Sequence, residues 1–316
     1  MGAILITGGA GFIGSHLAER LLDLGHEVIV IDNFDDFYDP QIKRENISSA
    51  SRHPRYMLLE GDIRDEEFIR FAFNRHRPHT VVHLAARAGV RPSIEQPVIC
   101  NDVNVRGTAI ILEACRESGV RKFIFGSSSS VYGNAKKVPF SENDNVDNPI
   151  SPYAATKKAG ELLCYAYHHL HGMDIFCLRF FTVYGPRQRP EMAIYKFTRM
   201  IDHGEELTQF GSGESRRDYT YIDDIIDGVV ASIEKVAGYE IINLGESKTT
   251  TLSELIRKLE LLLGKKARVK LLPDQPGDVE RTYADISKAS MILGYAPRYA
   301  VDEGLERFVS WHRKHR

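Results

Sequence analysis

Tyr153 and Lys157 stand four residues apart in "SPYAATKK" (151–158). On a helix, positions i and i+4 share a face, so this spacing sets an ammonium beside a phenol. A neighbouring positive charge favours phenolate and lowers a tyrosine pKa. The pair is therefore a candidate base working near neutral pH, where a free tyrosine cannot. A second stretch, "ITGGAGFIGSH" (6–16), places Gly8, Gly11 and Gly14 directly after an apolar run and at the start of a helical pattern. Glycines there permit a tight turn, close approach of backbone to a pyrophosphate, and a helix packed near its strand.

Asp32 ends the second apolar run, where a carboxylate can hydrogen-bond both hydroxyls of an adenosine ribose. A 2′-phosphate would be repelled, so the pattern predicts NAD rather than NADP. Phe12 and Ile13 within the glycine turn, and Asn33 beside Asp32, are candidate contacts to the same cofactor. "GDIRD" (61–65) supplies Asp62 and Ile63 to flank an adenine, and "HLAAR" (83–87) brings the backbone of Leu84, Ala85 and Ala86 along the dinucleotide. The positive nicotinamide would push the Tyr153 pKa down further.

The elements that must position these groups alternate. Residues 3–7, 27–31, 56–60, 80–85, 122–126 and 174–180 are apolar almost throughout, as strands buried on both faces are. Helical patterns at 12–24, 65–76, 95–118 and 152–171 lie between them, which predicts a doubly wound α/β domain with a parallel sheet. After residue 180 the rhythm changes. A helix near 191–204, a loop into a strand, and helices near 251–263, 285–293 and 301–314 predict a smaller α/β lobe over 181–316. The run 239–245 is expected to return to the main sheet with the segment from about 218, so the lobes interleave around a cleft.

Bulk composition excludes several classes. The chain has 316 residues, 43% hydrophobic and 27% charged, with a formal net charge of −2. A dedicated nucleic-acid binder would carry a basic stripe, and none is visible. No apolar run approaches the ~18 residues of a membrane span, and the N-terminal run reads as strand and turn rather than as a leader. Cys100, Cys115, Cys164 and Cys177 show no CxxC spacing and read as buried small residues of a reducing cytoplasm. His168, His169 and His171 close a helix and read as its solvated, dipole-favoured tail rather than as a metal site.

The motifs "TGGAGFIG", "HLAA", "NVRGT", "SSSSVYG", "SPYAATK", "LRFFTVYGPR" and "RRDYTYIDD" together resemble the extended short-chain dehydrogenase/reductases, specifically the sugar-nucleotide epimerases and dehydratases. The resemblance spans nearly the whole chain. It implies an NAD that stays bound and is regenerated each cycle, a UDP- or dTDP-sugar in the cleft, and a homodimer built on the helices at 95–118 and 152–171. It further implies cofactor contacts from Asn104 and Phe180, and a catalytic hydroxyl at Ser128 beside Tyr153 and Lys157. Dehydratases of the family carry Asp-Glu at the next two positions, and the decarboxylases carry Glu at the second; here Ser129 and Ser130 stand there. Dehydration thus loses its general acid, and short hydroxyl donors could hold a sugar carboxylate.

Thr182 stands where UDP-glucose epimerases typically have Asn, and the flanking stretches resemble the UDP-glucuronic acid 4-epimerases more closely. The same resemblance implies that Thr182 joins Ser128–Ser130 around the carboxylate. Arg91 and Arg189 would lie nearby or on the phosphates, Arg217 on the pyrophosphate, and Phe210 near the uracil or ribose, with Asp278 a weaker substrate candidate. The expectation is an NAD-dependent isomerase that epimerises C4 of UDP-glucuronate through a 4-keto sugar. A UDP-glucose or UDP-N-acetylhexosamine epimerase, a UDP-glucuronate decarboxylase and a non-catalytic nucleotide-sugar binder remain alternatives.

Overall fold

The computed structural model describes residues 2–273 and 279–315. Seven parallel strands form the main sheet: β1 (Ile4–Thr7), β2 (Val28–Asp32), β3 (Tyr56–Glu60), β4 (Thr80–His83), β5 (Lys122–Ser128), β6 (Asp174–Phe180) and β7 (Tyr239–Leu244), in the order β7-β6-β5-β4-β1-β2-β3. The chain order reverses between β1 and β4, which opens a crevice at their carboxyl ends, where α/β proteins bind ligands. β1, β2 and β4 are buried along their whole length, as their unbroken Val/Ile/Leu runs require. β3 departs from the expectation of burial on both faces: it is the edge strand, and Met57 is 42% exposed. At the edge the helix layers end, so only part of an apolar strand is covered.

Helices Phe12–Asp23, Glu66–His76 and Pro152–His171 form where apolar residues recur at helical spacing. The second and third are set at their starts by side-chain caps. Asp65 caps Glu66–His76 by accepting from Phe68 N–H, and Ser151 caps Pro152–His171 by accepting from Ala154 N–H. The helix expected at 95–118 is instead broken into Pro97–Asn101, a widened turn at Asp102–Arg106 and Gly107–Ser118, preceded by a separate helix Val90–Glu95. Pro97 starts a new helix because it cannot donate to the turn before it. The widened turn belongs to the wider-pitch class that often marks functional positions.

Beyond β6 the chain enters the second lobe. Helix Ala193–His203 leads to a parallel pair, Glu206–Phe210 with Arg268–Leu272. Thr182–Tyr184 pairs with Tyr219–Tyr221, and Arg216–Arg217 with Thr250–Thr251. Helix Ile222–Lys235 then packs against Phe12–Asp23 and delivers β7 onto β6. A capping box of Thr251 and Glu254 starts Leu252–Leu263, and helices Ser287–Leu293 and Val301–Lys314 complete the lobe. One buried cluster runs from Leu17 through Ile225 to Phe308, so the two lobes share a core.

The four cysteines are buried and unbridged. His168 Nδ1 lies 2.7 Å from the Met173 carbonyl at the end of its helix. Among the described residues no helix is long and apolar enough to cross a membrane.

Candidate active site

A cavity of about 440 Å³ opens at the carboxyl ends of β1, β2, β4, β5 and β6. Its floor is the glycine turn. Gly8 has φ +70°, and a Cβ on Gly14 would lie 2.3 Å from the Gly8 carbonyl oxygen. No other residue fits position 14 without moving backbone. Phe12, Ile13 and Gly11 line the same floor, as do Asn33, Asp62, Ile63, Leu84, Ala85 and Ala86 around it.

Asp32 is 6% exposed. Its carboxylate accepts from Ala10 N–H (3.1 Å) and Phe34 N–H (2.9 Å) and lies 3.7 Å from the Lys43 ammonium. Two oxygens carry about four acceptor sites, so capacity for ribose hydroxyls remains. Asp62 is pinned by Arg64 (2.8 and 2.9 Å) and Asn33 (2.9 Å), which hold its carboxyl at about 2 and keep it ionised. The glycine floor and the Asp32 carboxylate fit an NAD dinucleotide.

At the other end, Ser128, Ser129, Ser130, Tyr153, Lys157, Phe180, Thr182 and Arg189 line the wall. Tyr153 is fixed through its backbone, whose N–H donates to Ser93 Oγ (3.0 Å). Lys157 donates to the Gly126 carbonyl (2.7 Å), and its ammonium stands 5.9 Å from the centre of the Tyr153 ring. The YxxxK spacing predicts a phenol made acidic by that ammonium. The chain by itself does the opposite: burial pushes the Tyr153 phenol up, while a hydrogen bond with Ser128 and the Arg189 charge only partly offset it. Burial also depresses Lys157, from 10.5 to about 8. Desolvation is the largest cause for both groups. A further positive charge, such as an oxidised nicotinamide carries, would favour the phenolate.

Strand alternation sets Ser127 and Ser128 on opposite faces, and Ser129 and Ser130 follow in a short helical turn. Ser128 accepts from Ser130 N–H and lies 3.1 Å from Ser130 Oγ, whereas Ser127 turns away and donates to Glu161 Oε1 (2.7 Å). Glu161 follows Lys157 by one helical turn and grips Arg179 through two 2.8 Å bonds, both side chains 1% exposed. That pair ties the Tyr153 helix to β6.

Several expected contacts are not among the residues that line this cavity. Asn104 lies behind the wall: its amide accepts from Arg87 N–H (2.7 Å) and donates to the Arg87 carbonyl (3.1 Å) and Thr156 Oγ1 (3.0 Å). The widened turn at 102–106 aims it there, so it holds the loop after β4 and does not line the cavity. Arg91 and Phe210 are also outside the wall and stack on each other across the lobes at 4.8 Å. Arg217 lies beyond the wall on its short strand, donating to the Arg216 carbonyl (2.9 Å). Asp278 falls outside the described residues. In the other direction, Asp35, Phe37, Tyr38, Lys43 and Arg87 line the cavity without having been singled out by the sequence. Lys43 is 8% exposed, and no local sequence signal marks that burial.

The sequence matches the family described as GDP-mannose 4,6 dehydratase over residues 5–308. A UDP-glucuronate 4-epimerase of Thermodesulfobacterium geofontis is 44% identical over 315 residues, covering 99% of this chain and 97% of that protein. The structure of the UDP-glucuronic acid 4-epimerase of Bacillus cereus, in complex with UDP-glucuronic acid and NAD, is 39% identical and superposes with a TM-score of 0.93 over 99% of this chain and 100% of that one. The UDP-glucose 4-epimerase of Thermotoga maritima, with UDP-glucose, is 36% identical with a TM-score of 0.92 and 99% of both chains covered. With glycine turn, Asp32, Tyr153 and Lys157 arranged as described, the chain belongs to the NAD-dependent sugar-nucleotide epimerases of the extended short-chain dehydrogenase/reductase family.

Proposed function

We propose that this isomerase interconverts UDP-glucuronate and UDP-galacturonate. The observation that carries the reading is the sugar end of the cavity. Ser128, Ser129, Ser130, Thr182 and Arg189 line that end together, and among the described residues no Asp or Glu lines the cavity there; the Glu191 carboxylate lies against the Arg189 guanidinium (3.3 Å) without entering the lining. Hydroxyls and a guanidinium suit an anionic sugar, and the acid that dehydration needs is missing. The similarity to UDP-glucuronate 4-epimerases supports the same choice.

Bound NAD supplies a reversible hydride acceptor. Tyr153 takes the proton of the C4 hydroxyl, with Ser128 in its hydrogen-bond path, as the C4 hydrogen leaves as hydride, and gives the proton back to the C4 oxygen once the turned ring has regained that hydride on its other face. Lys157, held on the Gly126 carbonyl, supports the phenolate. The 4-keto sugar is a β-keto acid and loses CO2 when its C5–C6 bond aligns with the carbonyl π system. Ser128–Ser130 and Thr182 hold the carboxylate out of that alignment. Arg91, Phe210 and Arg217, which lie outside the cavity wall, are assigned to the uridine diphosphate.

The test is incubation with UDP-glucuronate and UDP-glucose side by side, followed by anomeric proton NMR. UDP-galacturonate forming faster than UDP-galactose, without UDP-pentose, is the expected result. Preferential turnover of UDP-glucose overturns the substrate, and stoichiometric UDP-pentose overturns the reaction. A homodimer goes with this reading: Val98, Leu162, Tyr165 and Leu170 expose apolar surface on the two helices expected to pair, Leu162 at 58%. The unbridged cysteines fit a cytoplasmic protein.

A further inference from the structure

The loops that follow β2 and β4 meet over the glycine turn. β1 lies between those two strands in the sheet, so a contact between their carboxyl-terminal loops must cross above residues 8–14. That contact is an ion pair between the Arg87 guanidinium and the Asp35 carboxylate. Its members are 16% and 30% exposed at the side chain, shielded from solvent without being dry. Arg87 also donates to Gln96 Oε1 (3.0 Å), and its guanidinium lies 4.7 Å from the centre of the Phe37 ring. Arg189, from the loop after β6, approaches the same ring at 5.9 Å.

Both ends are anchored. The Asp35 carboxylate accepts from Phe37 N–H (2.9 Å), and its carbonyl accepts from the Lys43 ammonium (3.1 Å). On the other side Asn104 grips the Arg87 backbone through both its N–H and its carbonyl. The Arg87 Nε is buried with no acceptor among the described residues. Such burial is unfavourable, so the ion pair and its anchors hold the guanidinium in a position it would not take unaided. Asp35, Phe37, Arg87 and Arg189 all line the cavity that Gly8 and Gly14 floor.

We propose that the Arg87–Asp35 ion pair is a clasp across the dinucleotide, and that its opening sets the rate at which NAD leaves the protein. An epimerase regenerates its NAD on the same chain, so release contributes nothing to turnover. A bridge over the glycine turn serves that economy, since the dinucleotide cannot lift off while the two loops are joined.

The test follows release directly. Protein loaded with NAD is desalted and mixed with an NAD glycohydrolase, which destroys dinucleotide once it is free, and the NAD still bound is counted over time after acid release. The chains compared are the parent, R87Q, D35N, the double variant and R199A, whose guanidinium pairs with Glu205 on an exposed surface. Each clasp variant should lose NAD about tenfold faster than the parent, the scale of one charge-assisted hydrogen bond. The double variant should be no faster than the faster single, because the two residues act as one unit. R199A should match the parent. High salt should speed release from the parent and leave the double variant unchanged. Parental rates in both single variants would overturn the clasp, and so would a double variant whose acceleration is the product of the two. Should either variant melt below the assay temperature, salt-insensitive release from the parent overturns it instead.

Discussion

The nucleotide end of the cavity takes its walls from short consecutive stretches at the carboxyl ends of β1, β2 and β4, while the sugar end borrows from β5, the start of Pro152–His171, the residues after β6 and the loop carrying Arg189. The first binds mainly through backbone geometry: a turn with no room for a Cβ and a buried carboxylate held by two N–H donors. The second binds through side chains whose charge states depend on burial. A backbone site tolerates little change and accepts one ligand. A side-chain site can be retuned by single substitutions, which is how one scaffold comes to serve several UDP-sugars.

Four substitutions test that contrast. The largest effect belongs to Tyr153→Phe, which should lower turnover of every sugar nucleotide about a thousandfold, within the range of a lost acid–base group, with NAD still bound. Near-parental turnover would remove the phenol from the chemistry.

Lys157→Met comes next, read as stability against pH. The folded pKa of Lys157, about 8, lies below its ordinary 10.5, so the folded state binds that proton more weakly. Below about pH 8 the buried charge costs stability in full, and the cost fades as pH rises toward 10.5, where both states are neutral. Over that window the parent should gain on the variant by on the order of 3 kcal/mol, the free-energy equivalent of the shift. Denaturant midpoints of the two proteins measure it, and a flat difference would place the ammonium in a far more polar setting.

Gly14→Ala probes the backbone end. With the new methyl 2.3 Å from the Gly8 carbonyl oxygen, the turn must open, and NAD affinity should fall roughly tenfold to a hundredfold, as for 1–3 kcal/mol of strain. Equilibrium titration of NAD reads it. The smallest effect is that of Thr182→Ala, which should divert a minor fraction of UDP-glucuronate turnover into CO2 and UDP-pentose or erode selectivity over UDP-glucose. If the variant does neither, the carboxylate is held by other groups.

Much of this was legible in the residues alone because the signals are local. The apolar runs of β1, β2, β4, β5 and β6 reflect burial on two faces, and the glycines at 8, 11 and 14 answer a constraint within one turn. Tyr153 and Lys157 fall on one helical face by periodicity. What was missed depends on distance along the chain. Arg87 reads as the tail of "HLAAR", and only the return of the β2 loop gives it Asp35 and Phe37 as neighbours. Glu161 reads as one more helix carboxylate until β6 sets Arg179 against it.

The chain's own pattern thus determined the parallel sheet, the glycine floor and the presence of a Tyr–Lys pair, since spacing along the backbone is enough to specify each. The tertiary structure decided how acidic that pair is, where Asn104 points and which cations face the cavity. Those properties follow from desolvation and from contacts between segments remote in sequence, and periodicity carries no information about either.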